Sequence, residues 1–280
     1  MPEYTFSPSL DQASIDDYVA LFSASFTGEG KLDAKYLEWQ YIENPHGKVL
    51  GFDAFLGGEL VAHYAIIPRR YHIGARHFEA ALSLNTATHP KHQGKGLFVK
   101  LATATYDAAA RRGVSFVIGA ANANSIGGFV RKLGFSALGH IRLYPSFKAP
   151  DRVETALDLK VDAAWLAWRL ANPSRSYTYV RHNDNSITIR TRIKGIPFNI
   201  ARLDKLQSEL MDVSNILDKE FCIMPGLSPI YASKTPPKLL HLPLRLQPSP
   251  WHVIWRSLDP AFDPSLARQL RFDGLSMDTF

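Results

Sequence analysis

The run Thr88 to Phe98, THPKHQGKGLF, constrains this chain more than any other stretch. It follows a strand-like segment, Phe78 to Thr86, and leads into a helical one, Leu97 to Arg112. A strand, a glycine-bearing turn and a helix start gather free backbone N–H groups at one point. Gly94 and Gly96 let the chain turn tightly and approach a ligand closely. Gln93 and Lys95 add polar and cationic reach. Such a turn suits an anion, and a pyrophosphate is the natural guest.

The elements before it are legible from periodicity. Asp11 to Ser25 reads as an amphipathic helix that Ser14 can cap, with Ile15, Val19 and Phe22 at helical spacing. Asp33 to Ile42 is a second helix, rich in Tyr36, Trp39 and Tyr41, and it stops at Asn44-Pro45. Val49 to Leu56 and Glu59 to Ile67 flank Gly57-Gly58, a hairpin signal. Pro68 is expected to end the second strand. Tyr71 to Ile73 and Arg76 to Thr86 make a further hairpin, so four antiparallel strands should precede the loop. After the loop and its helix come a strand, Val114 to Ala120, a short helix, Ser125 to Lys132, and a strand, Phe135 to Tyr144.

Gln93 to Phe98 resembles the Q/R-x-x-G-x-G/A pyrophosphate loop of the GNAT superfamily of N-acetyltransferases, with Phe98 where Gly or Ala is usual. Ala121 to Phe135, AANANSIGGFVRKLGF in its setting from Ala120, is similar to that family's strand, Asn and short helix ending in K-x-G-F. The resemblance implies an α+β GNAT fold: a mixed, mostly antiparallel sheet flanked by helices. It also implies acetyl-CoA or another acyl-CoA as co-substrate, and it places the cofactor-binding residues. These are Thr86, Ala87 and Thr88 on the strand, Gln93, Gly94, Lys95, Gly96, Leu97 and Phe98 on the loop, and Asn122, Ser125 and Phe129 after the next strand. A narrower resemblance is to sugar N-acyltransferases of surface polysaccharide synthesis. Their W-x-Y…N-P-x-G run is matched by Trp39, Tyr41, Asn44, Pro45 and Gly47, and their loop by His89, Pro90, Gly94, Lys95, Gly96 and Phe98.

The second half echoes the first. Trp39-Gln40 leads to Asn44-Pro45, and Trp168-Arg169 leads to Asn172-Pro173. Strands follow at Ser176 to Arg181, Ser186 to Ile193 and Pro197 to Leu203. A helix is expected at Asp204 to Leu217, and short strands at Phe221 to Met224, Lys238 to Leu242 and Trp251 to Arg256. Residues 1–148 thus read as a GNAT acyl-CoA-binding domain, and 149–280 as a degenerate second copy or an unrelated α+β cap that shapes the acceptor pocket. Arg202-Leu203-Asp204-Lys205 passes from strand to helix with no glycine, so one cofactor site is expected.

Composition excludes several classes. No apolar run approaches the ~20 residues a membrane span needs. One cysteine, Cys222, rules out a disulfide framework and fits a reducing cytoplasm. The net charge of +6 is scattered, so an anionic ligand is favoured over nucleic acid. No His, Cys, Asp or Glu group has metal-ligand spacing, and no metal is expected.

The expected reaction is acyl transfer to a small amine, with a nucleotide-linked amino sugar as acceptor. The alternatives are an antibiotic, a polyamine or a protein N-terminus as acceptor, or a non-catalytic protein that binds coenzyme A. Many GNAT enzymes carry a Tyr as general acid where this chain has Val130; a thiol with pKa about 8.5 leaves tolerably without one. His63 is the candidate base, against a core histidine. Asn85 is the candidate to orient an amine or water, against a strand cap. Arg69 and Arg70 are candidates to read a nucleotide. The protein is expected to be a monomer or a homodimer.

Overall fold

The computed structural model describes residues 3–26, 32–147, 149, 157–204, 216–220, 225–232, 243 and 251–277. In chain order the named elements are β1 (Thr5–Pro8), α1 (Ile15–Ser25), α2 (Ala34–Tyr41), β2 (Leu50–Leu56), β3 (Glu59–Ile73), β4 (Arg76–Thr88), α3 (Leu97–Arg111), β5 (Phe116–Ala121), α4 (Ile126–Leu133), β6 (Ser136–His140) and β7 (Arg142–Ser146). Then follow β8 (Asp158–Leu159), α5 (Ala163–Leu170), β9 (Tyr177–Arg181), β10 (Ile187–Ile193), β11 (Ile196–Leu203), β12 (Asp218–Lys219), β13 (Gly226–Ala232), β14 (His252–Ser257) and β15 (Arg271–Asp273).

Local chemistry sets the helix starts. Ser14 and Asp17 form a reciprocal capping box on α1, and Asp33 and Asp162 cap α2 and α5 from equivalent positions. Gly134, at φ +67°, closes α4 in the left-handed region.

The strands form two sheets. The first runs β1-β2-β3-β4-β5-β14-β6, and the second runs β12-β9-β10-β11-β13-β15, with β7 also on β13. In each sheet one central pair is parallel, β4–β5 and β11–β13. This is the GNAT fold in two tandem-like units, α+β in class.

Two expectations are corrected. Pro68 does not end a strand: β3 continues through it to Ile73, so three strands, β2 to β4, stand where four were expected, with β1 an unforeseen addition. The Pro68 carbonyl points off the β4 ladder and accepts from Asn44 Nδ2 at 3.0 Å. Its missing N–H lies on that same side, past the last β2 pairing at Leu50 and Ile66, and so costs no ladder bond. Phe135 to Tyr144 is not one strand either. The chain breaks at Ile141, and β6 stays in the first sheet while β7 joins β13 in the second.

The exchange is reciprocal. β14, from the C-terminal part, inserts antiparallel between β5 and β6. Trp255 of β14 stacks on Phe116 of β5 with ring centroids 4.0 Å apart. With β8 pairing on β3 at Tyr71 and His72, the sheets cross the 148/149 division three times. The expected helix Asp204 to Leu217 lies almost wholly outside the described residues, as do the strands Phe221 to Met224 and Lys238 to Leu242.

One face of the first sheet packs on α3 and α4 around Tyr64, Leu101, Tyr106, Val117 and Phe129. The other face packs on α1 and α2, and its core is continuous with that of the second half. At that junction Trp39 and Trp168 stack 4.6 Å apart, 11° from parallel. Each indole N–H donates to the other's backbone carbonyl, at 2.7 and 2.8 Å. The two Trp–(Gln/Arg)…Asn-Pro runs thus meet about a local twofold relation. Buried aromatics of this size contribute about 1.5–3 kcal/mol each from area alone.

Candidate active site

The loop is shaped by its own short-range bonds. His89 N donates to Val61 O at 2.9 Å and ends the β3–β4 ladder. Pro90–His92 form a short 3-10 turn, and Gln93 Nε2 reaches back to Thr88 O at 3.2 Å. Gly94 and Gly96 have φ of +75° and +77°, with open space where a Cβ would stand. Gly96 is the N-cap of the 15-residue α3 and supplies no side-chain acceptor, and the first turn of α3 holds no acidic residue. Its leading N–H groups and the positive end of the helix dipole therefore remain available to an anion.

These groups open on a cavity of about 470 Å³. Thr86, Thr88, Gln93 and the Gly94–Phe98 backbone line one side, and Ser125 and Phe129 the other. Lys95, Lys132 and His92 also line it, and no carboxylate does among the described residues. Burial, then Lys95 and His89, lower the pKa of His92, whose Nδ1 is 2.9 Å from the Tyr4 hydroxyl. The polar wall is thus cationic without a competing acid. These residues fit a pyrophosphate-bearing ligand such as coenzyme A.

Ten of the twelve residues expected to hold the cofactor line this cavity. Two do not. Ala87 is buried, 3% exposed, facing the α1–α2 side. Asn122 spends its Oδ1 on a local turn, accepting from Asn124 N and Ser125 N at 3.0 Å each. Asn124 takes its place in the wall, with Val99, Gly128 and Lys132 as unforeseen members. Phe98 has a structural answer: its ring packs edge-on to Phe129 at 5.5 Å, and a Cβ on Gly128 would come within 3.2 Å of it. A glycine one residue before Phe129 makes room for the larger side chain. Val130 is 37% exposed and carries no hydroxyl to the cavity.

β4 parts from β5 beside this cavity. Their parallel ladder covers only Ala80–Ser83 against Phe116–Gly119. Beyond it β4 bulges: His63 pairs with Ala87 but Ala65 with Leu84, so Asn85 and Thr86 both oppose Tyr64. Asn85 takes φ +49°, a conformation Asn tolerates better than most residues.

The bulge turns Asn85 toward α2, onto a buried polar chain. Asn85 Nδ2 donates to Gln40 Oε1 at 2.6 Å and to the Tyr41 hydroxyl at 3.2 Å. Tyr41 OH is 2.9 Å from His63 Nε2, and His63 Nδ1 donates to Asp53 Oδ1 at 2.6 Å. Asp53 also accepts from Tyr18 OH at 2.6 Å and Ser9 Oγ at 3.1 Å. His63 is 1% exposed, walled by Tyr18, Phe22 and Tyr41. It touches no solvent-accessible surface, which corrects its expected contact with substrate. Burial raises the Tyr41 and Tyr18 pKa values well above the ordinary phenol range, assisted at Tyr18 by the Asp53 charge, so both stay protonated.

Asp53 is the residue a sequence reading passes over. Its signal is a carboxylate in the middle of an apolar strand, GFDAFL, where an unpaired charge would be prohibitive.

Arg69 and Arg70 do not face an opening. Arg69 is 1% exposed and lies over the Trp168 and Trp165 rings at 5.2 and 5.8 Å, while Arg70 pairs with Glu79 on the surface. Among the described residues no helix is long and apolar enough to cross a membrane, and no group of three or more metal-ligating side chains forms.

Residues 9–138 match the family model of an acetyltransferase (GNAT) domain. No curated protein matches the chain in sequence. Similar solved structures include a probable N-acyltransferase from Enterococcus faecalis V583, at 11% identity and a TM-score of 0.60, covering 91% of this chain and 73% of that one. A GCN5-related N-acetyltransferase from Kribbella flavida gives 13% and 0.61, over 97% and 81%. Eis1 from Mycobacterium abscessus gives 15% and 0.58, over 97% and 82%. At these identities the likeness is one of fold, and it extends over both halves.

Proposed function

From the GNAT acetyltransferase domain that residues 9–138 form, we propose that the protein transfers the acyl group of an acyl-coenzyme A to the amine of a small acceptor. The domain makes the protein an acyltransferase, with acetyl-CoA as the acyl donor. The observation that carries the reading is the cavity at the start of α3, cationic, free of carboxylates among the described residues and opening where β4 leaves β5.

Backbone N–H groups from Gly94 to Val99 would hold the diphosphate, with Lys95 and Lys132 offsetting its charge. The backbone of Thr86 to Thr88 would hold the pantetheine arm, since past Ser83 that strand edge has no β5 partner. The donor supplies an activated acyl carbon on a thiol that leaves. Nitrogen–carbon bond formation displaces sulfur, and the amine proton passes to solvent. With Val130 at the usual acid position, the thiolate leaves without a side-chain proton donor; its ordinary pKa of about 8.5 makes this tolerable. An N–H aimed at the developing oxyanion is typically worth about 3–4 kcal/mol.

For the acceptor we assign an amino sugar carried on a nucleotide. The Trp39, Tyr41, Asn44, Pro45 and Gly47 run and the His89–Phe98 loop support it through their likeness to sugar N-acyltransferases. Arg69 and Arg70 lend it no support, for the positions given above. An acyl-CoA-using enzyme with one cysteine belongs in the cytoplasm. The test is thiol release from acetyl-CoA with nucleotide-linked amino sugars, aminoglycosides, polyamines and peptide N-termini. Turnover with the sugars is expected. Turnover only with another group reassigns the acceptor, and none with any amine despite bound coenzyme A refutes the transfer.

A further inference from the structure

We propose that Asn85 receives the acceptor amine through its amide oxygen, and that Asp53, His63 and Tyr41 form a buried positioning chain that turns that oxygen outward. The inference rests on the acyltransferase reading above and adds the polarity of the acceptor site.

The direction of every bond in the chain follows from one end. Asp53 can only accept, and it takes hydrogens from Tyr18, Ser9 and His63 Nδ1. In the tautomer with the single ring proton on Nδ1, Nε2 carries a lone pair and the Tyr41 hydroxyl, 2.9 Å away, donates to it. The Tyr41 oxygen is then an acceptor, and it takes one N–H of Asn85 at 3.2 Å. Gln40 uses its Nε2 to donate to Tyr36 OH at 3.1 Å, so its Oε1 faces Asn85 and takes the second N–H at 2.6 Å. Both hydrogens of the Asn85 amide are thus committed. Its Oδ1 makes no hydrogen bond among the described residues.

Asn85 is half-buried, while Tyr41 and His63 behind it are sealed. It precedes Thr86, which lines the donor cavity, at the bulge where β4 leaves β5. The donor cavity lies on the α3–α4 side of the sheet and Asn85 faces the α1–α2 side. A thioester passing through the gap between β4 and β5 from the first side would meet an acceptor held on the second.

The chemistry of the group matters. A carboxylate here would hold an ammonium, whose nitrogen lone pair is taken by its extra proton. An uncharged amide oxygen accepts one N–H of a neutral amine and leaves the lone pair free for the acyl carbon. Asn85 in this orientation therefore selects the nucleophilic form, and the Gln40 and Tyr41 oxygens that accept its two N–H bonds hold it there.

The decisive variant is Asn85→Gly. Glycine adopts φ +49° without strain, so the bulge survives while the amide is lost. Amine affinity for the coenzyme A-bound protein is measured by calorimetry, alongside steady-state kinetics with the best amine of the panel. Amine Kd and KM should rise about 10–100-fold, with the coenzyme A Kd nearly unchanged and Tm lower by a few degrees from the lost bonds to Gln40 and Tyr41. Tyr41→Phe keeps the buried ring and frees the amide, and should raise amine KM about 5–10-fold with the same coenzyme A Kd. Asn85→Asp should move the pH profile of kcat/KM upward by about one unit, because a carboxylate stabilises the ammonium form. If Asn85→Gly weakens coenzyme A and spares amine binding, the amide holds the donor and the proposal is overturned. If Tyr41→Phe leaves amine KM unchanged, the buried chain is core packing only and its positioning role falls. Calorimetry separates the two readings: amine binding without wild-type turnover refutes transfer and still tests Asn85, and no amine bound by the wild type refutes the proposal itself.

Discussion

Gly94→Asp isolates the role of the loop, because the structure separates its two costs. Gly94 has φ +75° and nothing within 4 Å of a Cβ, so a side chain there meets strain but no clash. A left-handed L-residue costs about 1–2 kcal/mol, and Asp sits toward the lower end. Gly94→Ala carries that strain alone, so its coenzyme A Kd should weaken less than about tenfold. Asp adds a charge facing the diphosphate. At about 5 Å and an effective dielectric of about 20, each pair of unit charges repels by about 3 kcal/mol. That is a factor above about a hundred in Kd. Titration calorimetry with coenzyme A and thermal unfolding without it read the two costs separately. Both variants should unfold within a few degrees of the wild type. Raising salt from about 0.05 to 0.5 M should recover part of the Asp loss and little of the Ala loss, since screening acts on exposed charges. Equal affinities for the Ala and Asp variants would refute a diphosphate seat at this turn.

Three further outcomes follow from the packing. Trp168→Ala removes a stacked, largely buried indole and one of the two reciprocal bonds at the junction of the halves. Denaturant unfolding should show a loss of about 3–5 kcal/mol, and a loss under 1 would mean the halves do not depend on this contact. Gly128→Ala gains helix propensity of about 1 kcal/mol but presses on Phe98. It should be near neutral alone and stabilising in a Phe98→Leu background; additive effects in the double mutant would refute the steric coupling. His46 is 9% exposed, and burial, then Arg69 and Arg70, lower its pKa from 6.5 to about 4. The folded state keeps it neutral while the unfolded chain takes a proton below pH 6.5. Stability should therefore fall by up to about 3 kcal/mol as pH drops from about 6.5 to about 4, with no contribution from this group above that window. His46→Gln should flatten that slope, and an unchanged slope would sink the assignment.

One wall of the cavity was legible in the chain because its makers are contiguous, while Ser125, Phe129 and Lys132 of the other wall come from a later segment. Turn glycines, the helix start and the lysine all fall between Thr88 and Phe98, so local conformation alone assembles them. The Trp39 and Trp168 echo was legible as a repeat in the same way. What the repeat does was not: only the folded chain shows the two indoles stacked on each other. Pro68 misled for a related reason. Whether a proline ends a strand depends on which neighbour its nitrogen would have faced, and that is a tertiary fact.

The buried polar chain shows the division most clearly. Sequence alone determined that a strand, an anion-binding turn and a helix stand together, since each depends on neighbours within a few residues. Tertiary structure alone decided that Asp53, His63, Tyr41 and Asn85 form one chain, because they come from three strands and a helix joined only by sheet pairing and packing. It also decided that β14 completes the first sheet and β7 the second. Hydrophobic pattern specifies that a segment is a buried strand, but not which edge it joins; register and backbone hydrogen bonding between segments far apart in the chain settle that.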